Sequence, residues 1–210
     1  MDITKTQKNE AYAKRTDVSR LFNSGNFQAP KRKIEWSANC DLNVVKHAFW
    51  DSLKYVVGKQ PEVLKTQFDE ICQWLHSNEG KGLLLFGSCG QGKTIIARYV
   101  IPAVLQMIHN KVVHYYDIAD IQANPNTLRD AMHYAITVID DVGTEAQSSF
   151  KDMAFWRILD NAEKSGKIVI ATTNLNDEAL KQHYGERSYD RILGNMKRVM
   201  FDGETSFRQI

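Results

Sequence analysis

Lys93 and Thr94 close the run Gly87-Ser88-Cys89-Gly90-Gln91-Gly92-Lys93-Thr94. The run fits G-x-x-x-x-G-K-[ST], the phosphate-binding loop. Its glycines let successive backbone N–H groups turn toward one point, where the start of a helix adds partial positive charge. A lysine there reaches the β- and γ-phosphates of a nucleotide, and the following hydroxyl ligates Mg²⁺. Further on, Ile136-Thr137-Val138-Ile139 runs into Asp140-Asp141, and Ile168-Val169-Ile170-Ala171-Thr172 runs into Thr173-Asn174. Acids at the carboxyl end of a strand face the ligand crevice of an open α/β sheet. Asp140 is thus expected on the Mg²⁺ side, and Asp141 is placed to orient or deprotonate the attacking water. Two adjacent carboxylates also suit a turn cap before Gly143. Asn174 fits either a water-positioning amide or a common turn signal.

These residues need a strand–loop–helix frame, and the surrounding pattern supplies one. Leu83-Leu84-Leu85-Phe86 is a short apolar run between glycines, the pattern of a buried parallel strand. Ile95, Ile96, Tyr99 and Val100 follow at helical spacing, and the helix is expected to continue through Pro102 with a kink toward Ile108. Upstream, Val44, Val45, Ala48, Phe49, Leu53, Val56 and Val57 mark a helix that Gly58 ends. Pro61 opens a second helix, with Val63, Leu64, Phe68, Ile71, Cys72 and Leu75 on one face and Ser77–Gly80 as its close. Downstream the reading continues with a strand at 112–116, a short helix near 117–121 and a loop at 124–126. A helix capped by Thr127 comes next, then one over 150–162 and another over 177–183. A last strand lies at 198–201. Strands alternating with helices imply a mostly parallel sheet covered on both faces.

Composition fits one α/β domain with an appendage: 210 residues, 43% hydrophobic and 25% charged. The net charge of +2 is unevenly spread. Residues 1–36 hold eight basic side chains against four acidic ones, a net of +4 that leaves −2 for the rest. Residues 1–42 are therefore read as a polar basic N-terminal arm, either a solvated tail or a contact for nucleic acid or an acidic partner. Residues 43–210 are read as the core. Cys40, Cys72 and Cys89 form no C-x-x-C pair, which argues against a zinc module or disulfide frame and fits a reducing, cytoplasmic setting. The polar start MDITKTQKNE carries no apolar h-region, and no apolar run approaches membrane-spanning length.

GSCGQGKT, VIDDVGTE, IVIATTNL and YGERSYDRILGNMKRVMFDGETSFR together resemble the DnaC-type helicase loaders and their IstB-like relatives, AAA+ ATPases of the initiator branch. The resemblance covers about Gly82 to Arg208. It implies an α/β P-loop NTPase fold of AAA+ type: a five-stranded parallel sheet in the order 5-1-4-3-2, flanked by helices and preceded here by a helical arm. It implies ATP and Mg²⁺ as cofactors, a replicative helicase as partner, and self-assembly. Asn174 matches sensor 1, Arg191 the arginine finger offered to a neighbouring subunit, and Arg208 the sensor-2 arginine. A surface salt bridge is the plainer role for Arg187, Arg191 and Arg208. The segment between Tyr116 and Ile136 is shorter than is usual in these loaders, where helices that contact single-stranded DNA sit. The expected function is helicase loading or remodelling. A transposition-helper ATPase, a low-turnover nucleotide-dependent adaptor and, more remotely, a small-molecule kinase are the alternatives.

Overall fold

The computed structural model describes residues 31–58, 65–145 and 153–202. Pro61, Val63, Leu64, Phe150 and Arg208 lie outside them. The chain divides after Lys31, and the unit Arg32–Ile210 is described by itself.

Helix α1 (Leu42–Val57) starts where the Asp41 side chain accepts from the Asn43 amide, and it ends where Gly58 turns left-handed at φ 81°. Helix α2 (Lys65–His76) and strand β1 (Gly82–Gly87) follow. Helix α3 runs as three continuous segments: Lys93–Ile95, a π-helical turn Ile96–Val100, and Ile101–His109. Pro102 carries no N–H and its ring crowds the preceding turn. The expected kink takes the form of this wide turn, in which Ile101 N–H donates back to the Ile96 carbonyl.

Next come β2 (His114–Asp117), α4 (Ile118–Ala123), α5 (Pro125–His133) and β3 (Ile136–Asp140). After them lie α6 (Ala154–Ser165), β4 (Ile168–Thr173), α7 (Asp177–Tyr184), α8 (Glu186–Asn195) and β5 (Met196–Phe201). All strand pairs are parallel, in the order β2-β3-β4-β1-β5. Read from the other edge this is 5-1-4-3-2, the expected order. Leu83 and Leu85 enter one core with α1, α2 and α3, whereas Leu84 and Phe86 enter the other with α4 to α8. Period-2 alternation along a strand buried on both faces explains why β1 is apolar throughout.

Several elements differ from the sequence reading. Strand β2 begins at His114 because this edge strand pairs only with β3, from His114 opposite Thr137 onward, and Val112 is exposed. Strand β5 begins earlier than expected, because β1 offers it a partner from Gly82 opposite Met196. The cap of α5 is Asn124, not Thr127: its side chain accepts from the Asn126 amide, and Pro125 occupies the first turn, where a missing N–H costs nothing. Helix α8 had no apolar stripe to announce it, since only Ser188 and Ile192 on it are buried.

Residues 34–38, placed in the arm by sequence, dock on this unit. Ile34 N–H donates to the Gly166 carbonyl and Ala38 N–H to the His76 carbonyl. Trp36 is buried edge-on against Trp74, with ring centroids 5.0 Å apart.

In α2, burial pushes the Cys72 thiol up from 9.0 to about 12. Between those values the folded chain keeps a proton that the unfolded chain releases, so this group's contribution to stability is lost as pH rises. Melting temperature should therefore fall from pH 9 upward, and Cys72→Val should flatten that slope in calorimetry across the same range.

Candidate nucleotide site

The loop from Gly87 to Thr94 sits at the carboxyl ends of β1 and β4, and local chemistry forces its shape. Gly87 has φ 114°, and a Cβ there would meet the Phe201 carbonyl oxygen at 2.3 Å. The Ser88 amide donates to that same oxygen at 2.9 Å, fastening the loop to β5. Gly92, left-handed at φ 83°, is the N-cap of α3 and turns the chain into the helix at Lys93.

Lys93 is buried. Its Nζ donates to the carbonyls of Gly87 (2.9 Å) and Ser88 (2.7 Å) and to Asn174 Oδ1 (2.9 Å). Burial lowers its pKa from 10.5, opposed in part by the nearby Cys89, Asp141 and Asp140. Asp140, also buried, ends β3 with both carboxylate oxygens engaged. Thr94 Oγ1 donates to Oδ1 at 3.1 Å, Thr172 Oγ1 donates to the same oxygen, and Tyr115 OH donates to Oδ2 at 2.8 Å. Asp141 follows at φ 57°, an uncommon value for a residue other than glycine. Its amide donates to Thr172 Oγ1 at 3.0 Å.

Cys89, Gly90, Gln91, Gly92, Lys93, Thr94, Ile95, Asp141 and Asn174 line an open cavity of about 440 Å³. That volume lies within the usual range for small-molecule sites. Lys93, Thr94, Asp141 and Asn174 share the cavity, Gly87 and Ser88 hold the lysine, and Asp140 stands behind Thr94. The donor set fits a nucleotide phosphate chain: a buried ammonium, turned backbone amides and a hydroxyl beside a carboxylate. Among the described residues no cluster of three or more His, Cys, Asp or Glu side chains could hold a metal alone. A cation would be shared between Thr94, Asp140 and phosphate oxygens, the usual Mg²⁺ arrangement.

Arg191 is not among the cavity residues. It lies on α8, with Nη1 2.8 Å from Asp160 Oδ1, Nε 3.5 Å from Glu163 Oε2, and its guanidinium 4.3 Å above the Trp156 ring. The salt bridge left open by the sequence is therefore present, within one chain and between α8 and α6. Arg187 is exposed.

Sequence reasoning missed Tyr115. Only the β2–β3 register brings its phenol to Asp140, and a tyrosine on an edge strand gives no such signal. The Arg98 guanidinium lies 4.5 Å over the same ring. Tyr115→Phe should weaken Mg²⁺-dependent nucleotide affinity by about tenfold, the worth of one hydrogen bond to a charged group. Affinity without Mg²⁺ should stay unchanged, and calorimetric titration at graded Mg²⁺ checks both.

No model of a known protein family matches the chain. Among curated proteins it is 26% identical over 147 residues to the replicative helicase loader DnaC of Buchnera aphidicola subsp. Acyrthosiphon pisum (strain APS), covering 63% of this chain and 58% of that protein. The chain spans about half the length of the curated relatives it matches. Among solved structures, a crystal structure of the DnaC helicase loader superposes with a TM-score of 0.61 at 21% identity, covering 73% of this chain and 98% of that one. The AMPPCP-bound DnaA of Aquifex aeolicus superposes with a TM-score of 0.51 at 18% identity, covering 72% of this chain and 52% of that one. The fold is a parallel α/β domain with a phosphate-binding loop, similar to these AAA+ domains. Within that fold the chain is similar to DnaC-type helicase loaders in both sequence and structure.

Proposed function

We propose that this chain is an AAA+ ATPase that binds Mg·ATP and uses its hydrolysis to load or remodel a replicative helicase on DNA. The observation that carries the reading is the cavity in which Lys93, Thr94, Asp141 and Asn174 meet with Asp140 behind them, in a core that matches helicase loaders. In this reading Lys93 and the Gly87–Gly92 amides hold the phosphates. Thr94 and Asp140 would hold Mg²⁺, which would supply charge neutralisation to the phosphates. Asp141 accepts a proton from, or orients, the attacking water, and Asn174 positions it. Arg208 lies outside the described residues and keeps its proposed sensor-2 role from resemblance alone. Arg191 serves a neighbouring subunit in a self-assembled form. The short segment that α4 and α5 occupy speaks against single-stranded DNA as a further partner, since it departs there from the loader pattern.

No described helix is long and apolar enough to cross a membrane, and the proposed setting is the cytoplasm. The test is affinity capture of the tagged full chain with ATP bound, followed by mass spectrometry and single-turnover hydrolysis with the captured protein. Recovery of a replicative helicase that accelerates hydrolysis supports the reading. Recovery of a transposase instead would move the chain to the transposition-helper class, and turnover unaffected by any partner would favour the adaptor reading.

A further inference from the structure

Beyond the residues that line the cavity, the turn after Asp141 contains a buried carboxylate with no place in the phosphate chemistry. Glu145 is only 4% exposed. Its Oε2 accepts from the Gly143 amide at 2.7 Å, and its Oε1 accepts from the phenol of Tyr184, which is 1% exposed. Burying a carboxylate is costly unless its oxygens are satisfied. Here the two partners come from different places: one from the turn itself, the other from the last residue of α7.

The opposite side of the turn is gripped by β4. The amides of Asp141 and Val142 donate to Thr172 Oγ1 and to the Thr172 carbonyl, at 3.0 and 2.9 Å. Thr173 Oγ1 donates to the Val142 carbonyl and accepts from the Leu175 amide. Gly143 is left-handed at φ 95°, and a Cβ on it would lie 2.3 Å from Leu175 Cδ1. The turn thus has a grip on each side, and Asp141 stands between them in a backbone conformation that a side chain rarely adopts unaided.

We propose that Glu145 and Tyr184 are a positioning pair, which holds the Asp141 turn at the mouth of the nucleotide cavity and ties it to the corner between α7 and α8. This rests on the ATPase reading for its consequence in turnover, although the tie itself is independent of it. Tyr184 is followed by Gly185, at φ 79°, and then by α8, which carries Arg187 and Arg191. The pair therefore links the acid turn to the helix proposed to meet a neighbouring subunit. A carboxylate that orients water is sensitive to small displacements, because a misplacement of about 1 Å can cost roughly 10²-fold in rate.

Tyr184→Phe in the full chain keeps the ring, which packs 5.5 Å from Phe155, and removes only the hydroxyl. Amide hydrogen exchange over residues 141–145 should quicken about tenfold while that of β3 stays unchanged. Mg·ATP affinity should hold within about twofold, and single-turnover hydrolysis should fall about tenfold. Glu145→Ala should behave alike and serves if the tyrosine variant folds poorly, whereas Glu145→Gln, whose carbonyl can accept from the Gly143 amide while its NH2 donates to the phenol oxygen, should recover most of the rate. Asp141→Asn and Asp141→Asn/Tyr184→Phe should hydrolyse equally slowly, because the phenol acts through Asp141. The proposal is overturned if Tyr184→Phe exchanges like the parent, or if it slows the Asp141→Asn protein by a further tenfold. Should the parent itself not hydrolyse ATP, the ATPase reading fails and the exchange measurement alone decides the tie.

Discussion

Arg191→Ala should leave nucleotide affinity within about twofold and lower assembly-stimulated hydrolysis by about 10³-fold or more, the scale of an arginine finger acting in trans. The proposal draws on the resemblance of the GER-x-x-D-R run and on a position that keeps Arg191 away from its own cavity. Its pairing inside the chain has to be exchanged first. The Asp160 and Glu163 contacts are partly open to solvent, with the arginine side chain 25% exposed. Such ion pairs are worth only about 0–1 kcal/mol, so a phosphate chain in a neighbouring site can displace them. A planar guanidinium gives phosphate paired hydrogen bonds that lysine cannot imitate.

Asp160→Asn supplies the control. Lys164 and Arg191 hold the Asp160 carboxyl below its ordinary value of 3.8. Removing its charge loosens Arg191 without deleting the guanidinium, so hydrolysis should stay at the parent level or rise. The decisive measurement mixes Arg191→Ala with Lys93→Ala. An interface that pairs an intact Lys93 with an intact Arg191 should recover activity neither variant has alone. If co-assembled mixtures recover nothing, or if Arg191→Ala hydrolyses like the parent, Arg191 is a tie between α6 and α8 and nothing more.

Lys93→Ala should raise the dissociation constant for Mg·ATP by about 10²-fold or more. Charge-assisted hydrogen bonds contribute about 1.5–3 kcal/mol each, and the ammonium would exchange its contacts with Gly87, Ser88 and Asn174 for phosphate oxygens. Fluorescent-nucleotide titration measures the loss. Alkaline pH offers a second check. The charged lysine binds phosphate and its pKa lies below 10.5, so affinity should fall as pH rises through that lowered value. Without nucleotide the sign reverses for stability. Between the lowered value and 10.5 the unfolded chain holds more protons than the folded one, so Lys93 makes stability rise with pH there. Cys72 and the phenols of Tyr115 and Tyr184, all pushed up by burial, act in the opposite direction, so the difference between the parent and Lys93→Ala gives the lysine's share.

The phosphate loop, the acid pair and Asn174 were legible because their chemistry is written in contiguous runs. Gly87 to Thr94 needs its glycines for backbone reasons that act locally, and strands β1, β3 and β4, buried on both faces, announce themselves as apolar runs. Periodicity also gave α1 and its end at Gly58, since a left-handed glycine stops a helix wherever it occurs. Resemblance, not pattern, supplied the strand order, because alternating strands and helices are compatible with several orders. What only the tertiary structure decided are the contacts made between distant segments. Tyr115 reaches Asp140 through strand register, Glu145 reaches Tyr184 across 39 positions, and Arg191 folds back onto Asp160. Each of these is a polar side chain on an edge strand, in a turn or on a helix with few buried residues. Its partner is set by where two elements cross, and no local spacing in the sequence encodes that crossing.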